Sequence, residues 1–365
     1  MNFDLGEDEE MLKALAERFV ADQYDMERRR AYLASDDGYS RTNWALLGEL
    51  GLIAAPFAAQ HGGLALDATA IATVFEALGR GLVVEPLIEN VVYAGCLFAD
   101  TAPADLRDRL MDGLLSGAVR LALAHIETGS RGGHLWVETQ ARESVLSGTK
   151  PFVPSGYGVD GYIVSARTGG SPGASDGVAF YFVEADAPGL VIASWRMTDG
   201  SVAAHLTLDG VPARPLDGGL AAHAHVAKMA SLARSAEALG VMQRLFDDTI
   251  EYLRTRQQFG APLGSFQAIQ HRMVAQYTVI EQARALLSLA MVTQGTAEFS
   301  GAVMGVAAFI ALNAVELGHE MIQFHGGMGV TDELIIGQGH KRLLVLSRWP
   351  EPPEVALDRF AGIAA

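Results

Sequence analysis

The order of hydrophobic patterns along this 365-residue chain predicts an α+β protein of three segregated regions: helices, then a small sheet, then helices again. Three observations carry that reading. Apolar residues recur at helical spacing through about the first 120 residues. Short runs rich in β-branched and aromatic residues, separated by glycine and proline turns, fill the middle. Three long apolar stripes of helical period occupy the remainder. The predicted domains are residues 1–120, an N-terminal helical domain; 121–215, a small β-barrel domain; and 216–365, a C-terminal helical bundle.

In the N-terminal region Leu12, Leu15 and Phe19, then Trp44, Leu47 and Leu50, then Val74 and Leu78 mark successive helices, punctuated by Gly62-Gly63 and Pro86. The middle region offers strands at Leu121 to Ile126, Leu135 to Thr139, Gly161 to Ser165, Val178 to Val183, Leu190 to Ser194 and Ala203 to Leu208. The C-terminal region carries an apolar stripe from Met229 to Leu253, another from Ile269 to Met291 and a third from Val303 to Phe324. Three helices of about 20 to 30 residues make a bundle whose flanks can dock other subunits.

Charge narrows the function. Lys and Arg total 27 against 43 Asp and Glu, a net charge of −16, which excludes the basic stripe that nucleic-acid binding needs and disfavours anionic lipid. The single cysteine, Cys96, rules out an internal disulfide and reads as a small buried hydrophobe. The acidic start, MNFDLGEDEE, has no signal-peptide pattern, and the longest apolar stretch, Phe299 to Val315, reads as too short to span a bilayer. Both point to a cytoplasmic protein.

Most catalytic signatures are missing, including GxxxxGK[ST], CxxC, HExxH and GxSxG. His319 and His325 lie six apart, poor spacing for metal ligands on one helix face, so no metal is expected; His223 and His225 read as a solvated helix start. The unusual segment is Arg254-Thr-Arg-Gln-Gln-Phe-Gly260, followed by Ser265-Phe-Gln-Ala-Ile-Gln-His271. Two arginines, several glutamines and a phenylalanine at a helix hairpin suit a phosphate or a polar planar ligand, and they equally suit an ordinary solvated corner.

The run Tyr252 to Val274, YLRTRQQFGAPLGSFQAIQHRMV, resembles the C-terminal motif of the acyl-CoA dehydrogenase family, and so does Gln323-Phe-His-Gly-Gly-Met-Gly329. LGELGLIAAPFAAQHGG (Leu47 to Gly63) and FEALGRGLVVEP (Phe75 to Pro86) are similar to its N-terminal signatures. Four motifs in the family's order cover nearly the whole chain. The resemblance implies the three-domain fold, FAD as cofactor, an acyl-CoA substrate and a separate electron-transfer acceptor. By that likeness Arg256 reaches the FAD pyrophosphate of a neighbouring subunit. Phe259 and Gln267 line the same pocket, and Gln323 with Gly326 and Gly327 contacts the adenosine side. Phe152 stands where a tryptophan usually walls the flavin.

Two departures from the family pattern stand out. Ile126 and Pro154 replace threonines that face the flavin, and proline has no N–H to offer N5. The Y-E-G-T motif that carries the base in many members is absent; Glu351 and Glu354 lie in its region, among prolines, and read as a solvated tail. Other members carry the base on the first long bundle helix, and here that helix holds Glu237 in the apolar run ARSAEALG. Glu237 is thus the candidate base, against the alternative of a surface ion pair with Arg234. The pattern is similar to the small subunit of pimeloyl-CoA-type dehydrogenases and to heteromeric dehydrogenases of sterol side-chain catabolism. This implies α,β-dehydrogenation of an acyl-CoA, of lipid or steroid origin, by an α2β2 assembly with a second acyl-CoA dehydrogenase subunit, or else by a homotetramer. The alternatives are a non-catalytic partner chain and, further off, a flavin monooxygenase or oxidase on the same fold.

Overall fold

The computed structural model describes residues 5–130, 135–348 and 352–362. The helices are α1 (Glu7–Gln23), α2 (Met26–Ala34), α3 (Arg41–Glu49), α4 (Ala68–Arg80), α5 (Cys96–Thr101), α6 (Ala104–Ser116), α7 (Gly219–Thr255), α8 (Gln267–Val292), α9 (Phe299–His325), α10 (Ile335–Leu346) and α11 (Pro353–Phe360). The strands are β1 (Leu121–Ala124), β2 (Gln140–Arg142), β3 (Val145–Pro154), β4 (Gly161–Arg167), β5 (Val178–Glu184), β6 (Leu190–Arg196), β7 (Val202–Pro212), β8 (Arg214–Leu216), β9 (Gln257–Gln258) and β10 (Ala261–Pro262). Two compact units interleave along the chain. One takes the segments up to Arg30, Asp67–Val83 and everything from Ser231; the other takes Ala31–Leu66 and Val84–Ala230.

The first unit is helical. Four acidic residues, Glu7 to Glu10, occupy the first turn of α1, where the helix dipole favours negative charge. The Asp67 carboxylate caps α4 by accepting from the Ala70 N–H at 2.8 Å. Where α4 crosses α7 the two backbones touch. A Cβ added at Gly79 would lie 2.2 Å from the Glu237 carbonyl oxygen, and one at Gly240 2.1 Å from that of Glu76. Only glycine permits that approach.

The three predicted bundle helices form, but α7 runs for 37 residues, longer than its apolar stripe suggests. The expectation that no segment reaches bilayer length fails for α9. That helix is 27 residues long and apolar enough to qualify by length and composition, because Glu316 and His319 on its outer side do not interrupt it. Its Val303, Val306, Ile310, Leu317 and Met321 are instead buried among α8, α10 and α11.

The second unit holds a single eight-stranded mixed sheet in the order β6-β7-β3-β2-β4-β5-β8, with β1 parallel to β4. Leu146, Val153, Tyr162, Val164, Val183, Ala204 and Leu206 build its core. One predicted strand is missing. Side chains claim most of the Leu135–Thr139 backbone: the Glu127 carboxylate accepts from the Glu138 and Thr139 N–H groups, and Arg167 donates to the Leu135 and Val137 carbonyls, while the Thr139 carbonyl accepts from the Arg167 N–H at the end of β4. His223 is also not solvated. It is buried, its Nε2 lies 2.7 Å from the Tyr93 hydroxyl, and its ring stacks on Phe180. His225 is exposed, as expected of a helix start.

Candidate active site

Six of the predicted residues gather at one end of the helical bundle. The ring of Tyr252, near the end of α7, stacks on His325 at the end of α9, with centroids 4.2 Å apart. Arg272, near the start of α8, makes two 2.7 Å bonds to Glu320 of α9 and lies 4.7 Å over the Phe324 ring. These contacts fix the end of α7, the start of α8 and the end of α9 side by side. Burial pulls the His325 pKa below its ordinary value, which keeps that stack neutral.

Between α7 and α8 the chain makes a tight hairpin in which Gln257 pairs with Pro262 and Gln258 with Ala261. Phe259 at its tip adopts left-handed φ (55°), is 92% exposed and meets Phe266 edge-on. A large apolar ring held out in water in a strained conformation is what a ligand or neighbouring chain would cover. Arg256, Gln267 and Gln323 are all exposed as well. A Cβ placed on Gly326 or Gly327 would meet nothing within 4 Å, so this backbone is open to close approach. An arginine fork, two amides and bare glycine backbone form a donor set that fits a pyrophosphate and an adenosine.

Glu237 lies elsewhere. It sits 18 residues before the end of α7, about 27 Å along the helix. Its carboxylate is 8% exposed and accepts two bonds from Arg342 of α10, from Nε at 2.6 Å and from Nη2 at 3.0 Å. Glu237 thus makes a buried ion pair with Arg342, a partner the sequence reading did not name. Nothing in the local sequence signals it, because 105 residues separate the partners. Of the other carboxylates considered, Glu354 is exposed and lies 3.9 Å from Arg348, and Glu351 falls outside the described residues.

In the β unit, Phe152 bridges to Ile126, which puts these two sequence-matched positions side by side. Pro154 pairs with Ala203 of β7, and Ser155 after it turns with φ 50°. Glu127 is buried and accepts from Lys150 Nζ and Thr139 Oγ1, both at 2.6 Å. Lys150 is fully buried, and that desolvation lowers its pKa to about 8 against the pull of Glu127. Burial alone would raise the Glu127 pKa; the Lys150 charge and the hydrogen bonds outweigh it and hold the group below the usual carboxylate range. This pair ties β3 to the loop after β1 and positions the Ile126–Phe152 wall. Arg131 and its neighbours in the glycine-rich loop lie outside the described residues, and no group of His, Cys, Asp and Glu suited to a metal occurs among the described ones.

Comparison with known proteins agrees with this architecture. The acyl-CoA dehydrogenase N-terminal domain model matches residues 6–118, and the C-terminal domain model matches residues 217–359. Acyl-CoA dehydrogenase FadE27 of Mycobacterium tuberculosis (strain ATCC 25618 / H37Rv) is 28% identical over 343 residues, 90% of each chain. A chain of the Tcur3481-Tcur3483 steroid ACAD variant superposes with a TM-score of 0.88 at 31% identity, covering 99% of this chain and 98% of that one. A chain of the ChsE4-ChsE5 complex from Mycobacterium tuberculosis gives 0.89 at 25% identity over the same shares. The chain belongs to the acyl-CoA dehydrogenase family.

Proposed function

We propose that this chain is an FAD-dependent acyl-CoA dehydrogenase that introduces an α,β double bond into a CoA thioester of lipid or steroid origin, working as one of two unlike chains in an α2β2 assembly. The cluster of Arg256, Phe259, Gln267, Gln323, Gly326 and Gly327 at one bundle end carries the reading. Similarity to chains of two-component complexes, one of them named for a steroid enzyme, supports the assembly and the substrate class.

FAD, when bound, would supply the hydride acceptor for the substrate β-carbon, with a separate electron-transfer protein as the onward acceptor. Arg256 would anchor the pyrophosphate of a neighbouring subunit's FAD with a charge-assisted fork, Gln323 and the bare Gly326-Gly327 backbone would hold its adenosine side, and Phe259 and Gln267 would close that pocket. Phe152 and Ile126 would wall the ring on the β unit. Glu237 is the proposed acceptor of the α-proton; because Arg342 engages both its oxygens, that role requires the guanidinium to release one of them.

A second reading, the non-catalytic chain of the pair, is favoured by two observations. The Arg342 fork occupies Glu237, and Pro154 offers no N–H toward a flavin. The test is the visible spectrum and turnover of the chain purified alone and with a co-expressed second subunit, carrying Glu237 or Glu237→Gln. Yellow protein whose turnover falls at least ~10²-fold in Glu237→Gln supports the catalytic reading. Turnover untouched by Glu237→Gln in the assembled complex supports the second.

A further inference from the structure

We propose that Trp195, an aromatic residue on the edge strand β6, packs against the benzenoid side of the bound flavin ring; the inference rests on the FAD reading above. Along β6 the partly buried Leu190 and Ile192 pack on the sheet core, whereas Val191 is 62% and Trp195 40% exposed, so these two face away from it. Across the sheet Trp195 pairs with Ala203 of β7, and Ala203 with Pro154 of β3. Trp195, Ala203 and Pro154 therefore form one row; Ala203 and Pro154 are buried, so Trp195 is the member of the row that presents an open apolar shelf.

The indole leans along that shelf to Phe152, with ring centroids 6.2 Å apart and planes at 35°. Phe152 in turn bridges to Ile126. The shelf is thus continuous with the wall already assigned to the flavin and extends it by one large ring. Its accessible surface is indole and phenyl, and Pro154 behind it has no N–H to offer. A polar pyrimidine edge would lose its hydrogen bonds there, whereas the benzenoid side of an isoalloxazine has none to lose. The indole is also held in place. The next residue, Arg196, donates to the Leu33 and Ser35 carbonyls and at 3.3 Å to that of Gly200, which pins the end of β6. Phe152 is smaller than the tryptophan the family pattern places there, and Trp195 supplies an indole to the same patch from a neighbouring strand.

The test is FAD titration of flavin-free protein, comparing the full chain with Trp195→Phe, Trp195→Ala and Arg256→Ala, and reading flavin emission and visible absorption as well as affinity. A stacked indole quenches flavin emission by electron transfer. We expect the emission of bound flavin to at least double in Trp195→Phe with a shifted visible band, and FAD affinity to fall about tenfold in Trp195→Ala with partial recovery in Trp195→Phe. Arg256→Ala should weaken binding without changing the spectrum of the flavin still bound. Unchanged emission, spectrum and affinity in both Trp195 variants, while the parent chain binds FAD, overturn the role of Trp195 and leave the FAD reading intact. A parent chain that binds no FAD overturns both.

Discussion

Arg342 of α10 grips Glu237 of α7 through two near-parallel bonds of 2.6 and 3.0 Å, in a site where the carboxylate is 8% and the guanidinium 17% exposed. Such a pair ties α10 to α7 close to the point where Gly79 and Gly240 bring α4 onto the same helix. Its energetics are asymmetric. Removing one partner strands a buried charge, whereas replacing both with apolar groups of similar size removes the desolvation cost with the attraction. Arg342→Met should therefore destabilise the chain by about 3–5 kcal/mol. The double variant Glu237→Leu with Arg342→Met should recover most of that loss. Chemical denaturation of the three proteins checks it; a double variant as unstable as Arg342→Met shows that the cost does not come from the stranded charge.

Arg256 is exposed, and no ion pair or side-chain hydrogen bond to it is found among the described residues. Its removal should thus leave the fold untouched and cost only ligand contacts. Each charge-assisted bond to a pyrophosphate contributes about 1.5–3 kcal/mol, so Arg256→Ala should weaken FAD binding by roughly 10- to 150-fold at constant thermal stability. Isothermal titration with FAD and a melting curve decide it. Equal affinity would remove Arg256 from the site.

The legible and illegible features of this protein divide by the range of the interactions. The helix–sheet–helix order follows from periodicity, which is local, and the motif around Arg256, Phe259 and Gln267 lies within one hairpin. The missing strand at Leu135–Thr139 was hidden because the groups that satisfy its backbone, Glu127 and Arg167, are up to 32 residues away. The Arg342 partner of Glu237 and the placement of Trp195 beside Phe152 depend on contacts of still longer range or on sheet register, which composition does not encode. His223 misled for a related reason: a polar residue at a helix start usually faces water, and here Tyr93 and Phe180 enclose it.

His340 gives the chain an acid-sensitive point. It is buried on α10 beside His319 of α9, with ring centroids 4.7 Å apart, and its Nδ1 lies against Gly318. Burial, with a smaller push from His319, lowers its pKa from 6.5 to about 4. The folded value lies below the unfolded one. The stability it confers is therefore complete above pH 6.5 and is lost as pH falls toward 4, because the unfolded chain takes up a proton that the folded chain refuses. The full span corresponds to about 3 kcal/mol. His340→Asn should flatten stability between pH 6.5 and 4 relative to the parent. Parallel pH profiles for the two proteins would show that the acid sensitivity arises elsewhere.

Arg167 anchors the loop end of the β unit without any carboxylate. It is fully buried, and its guanidinium donates to five carbonyls: Val137 at 3.0 Å, Asp176 at 2.7 Å, Ala174 at 3.0 Å, Leu135 at 3.1 Å and Gly169 at 3.4 Å. These acceptors come from two segments, Leu135–Val137 and the glycine-rich turn Gly169–Asp176, so one side chain holds both. Lysine carries three donors on a single atom and cannot span them. The Val137 carbonyl lies in a buried bond and the other four are part-buried, so carbonyls that lose their donor must turn to water and the two segments must loosen. Arg167→Lys should thus open protease cleavage between residues 168 and 177 well below the melting temperature of the rest of the chain. It should also lower overall stability by at least about 2 kcal/mol, the loss of two such bonds. Limited proteolysis with mass mapping, run beside a thermal melt, reads both effects. A variant that keeps the parent's protease resistance in this loop would show that the five bonds are dispensable and that the turn is held by its own backbone.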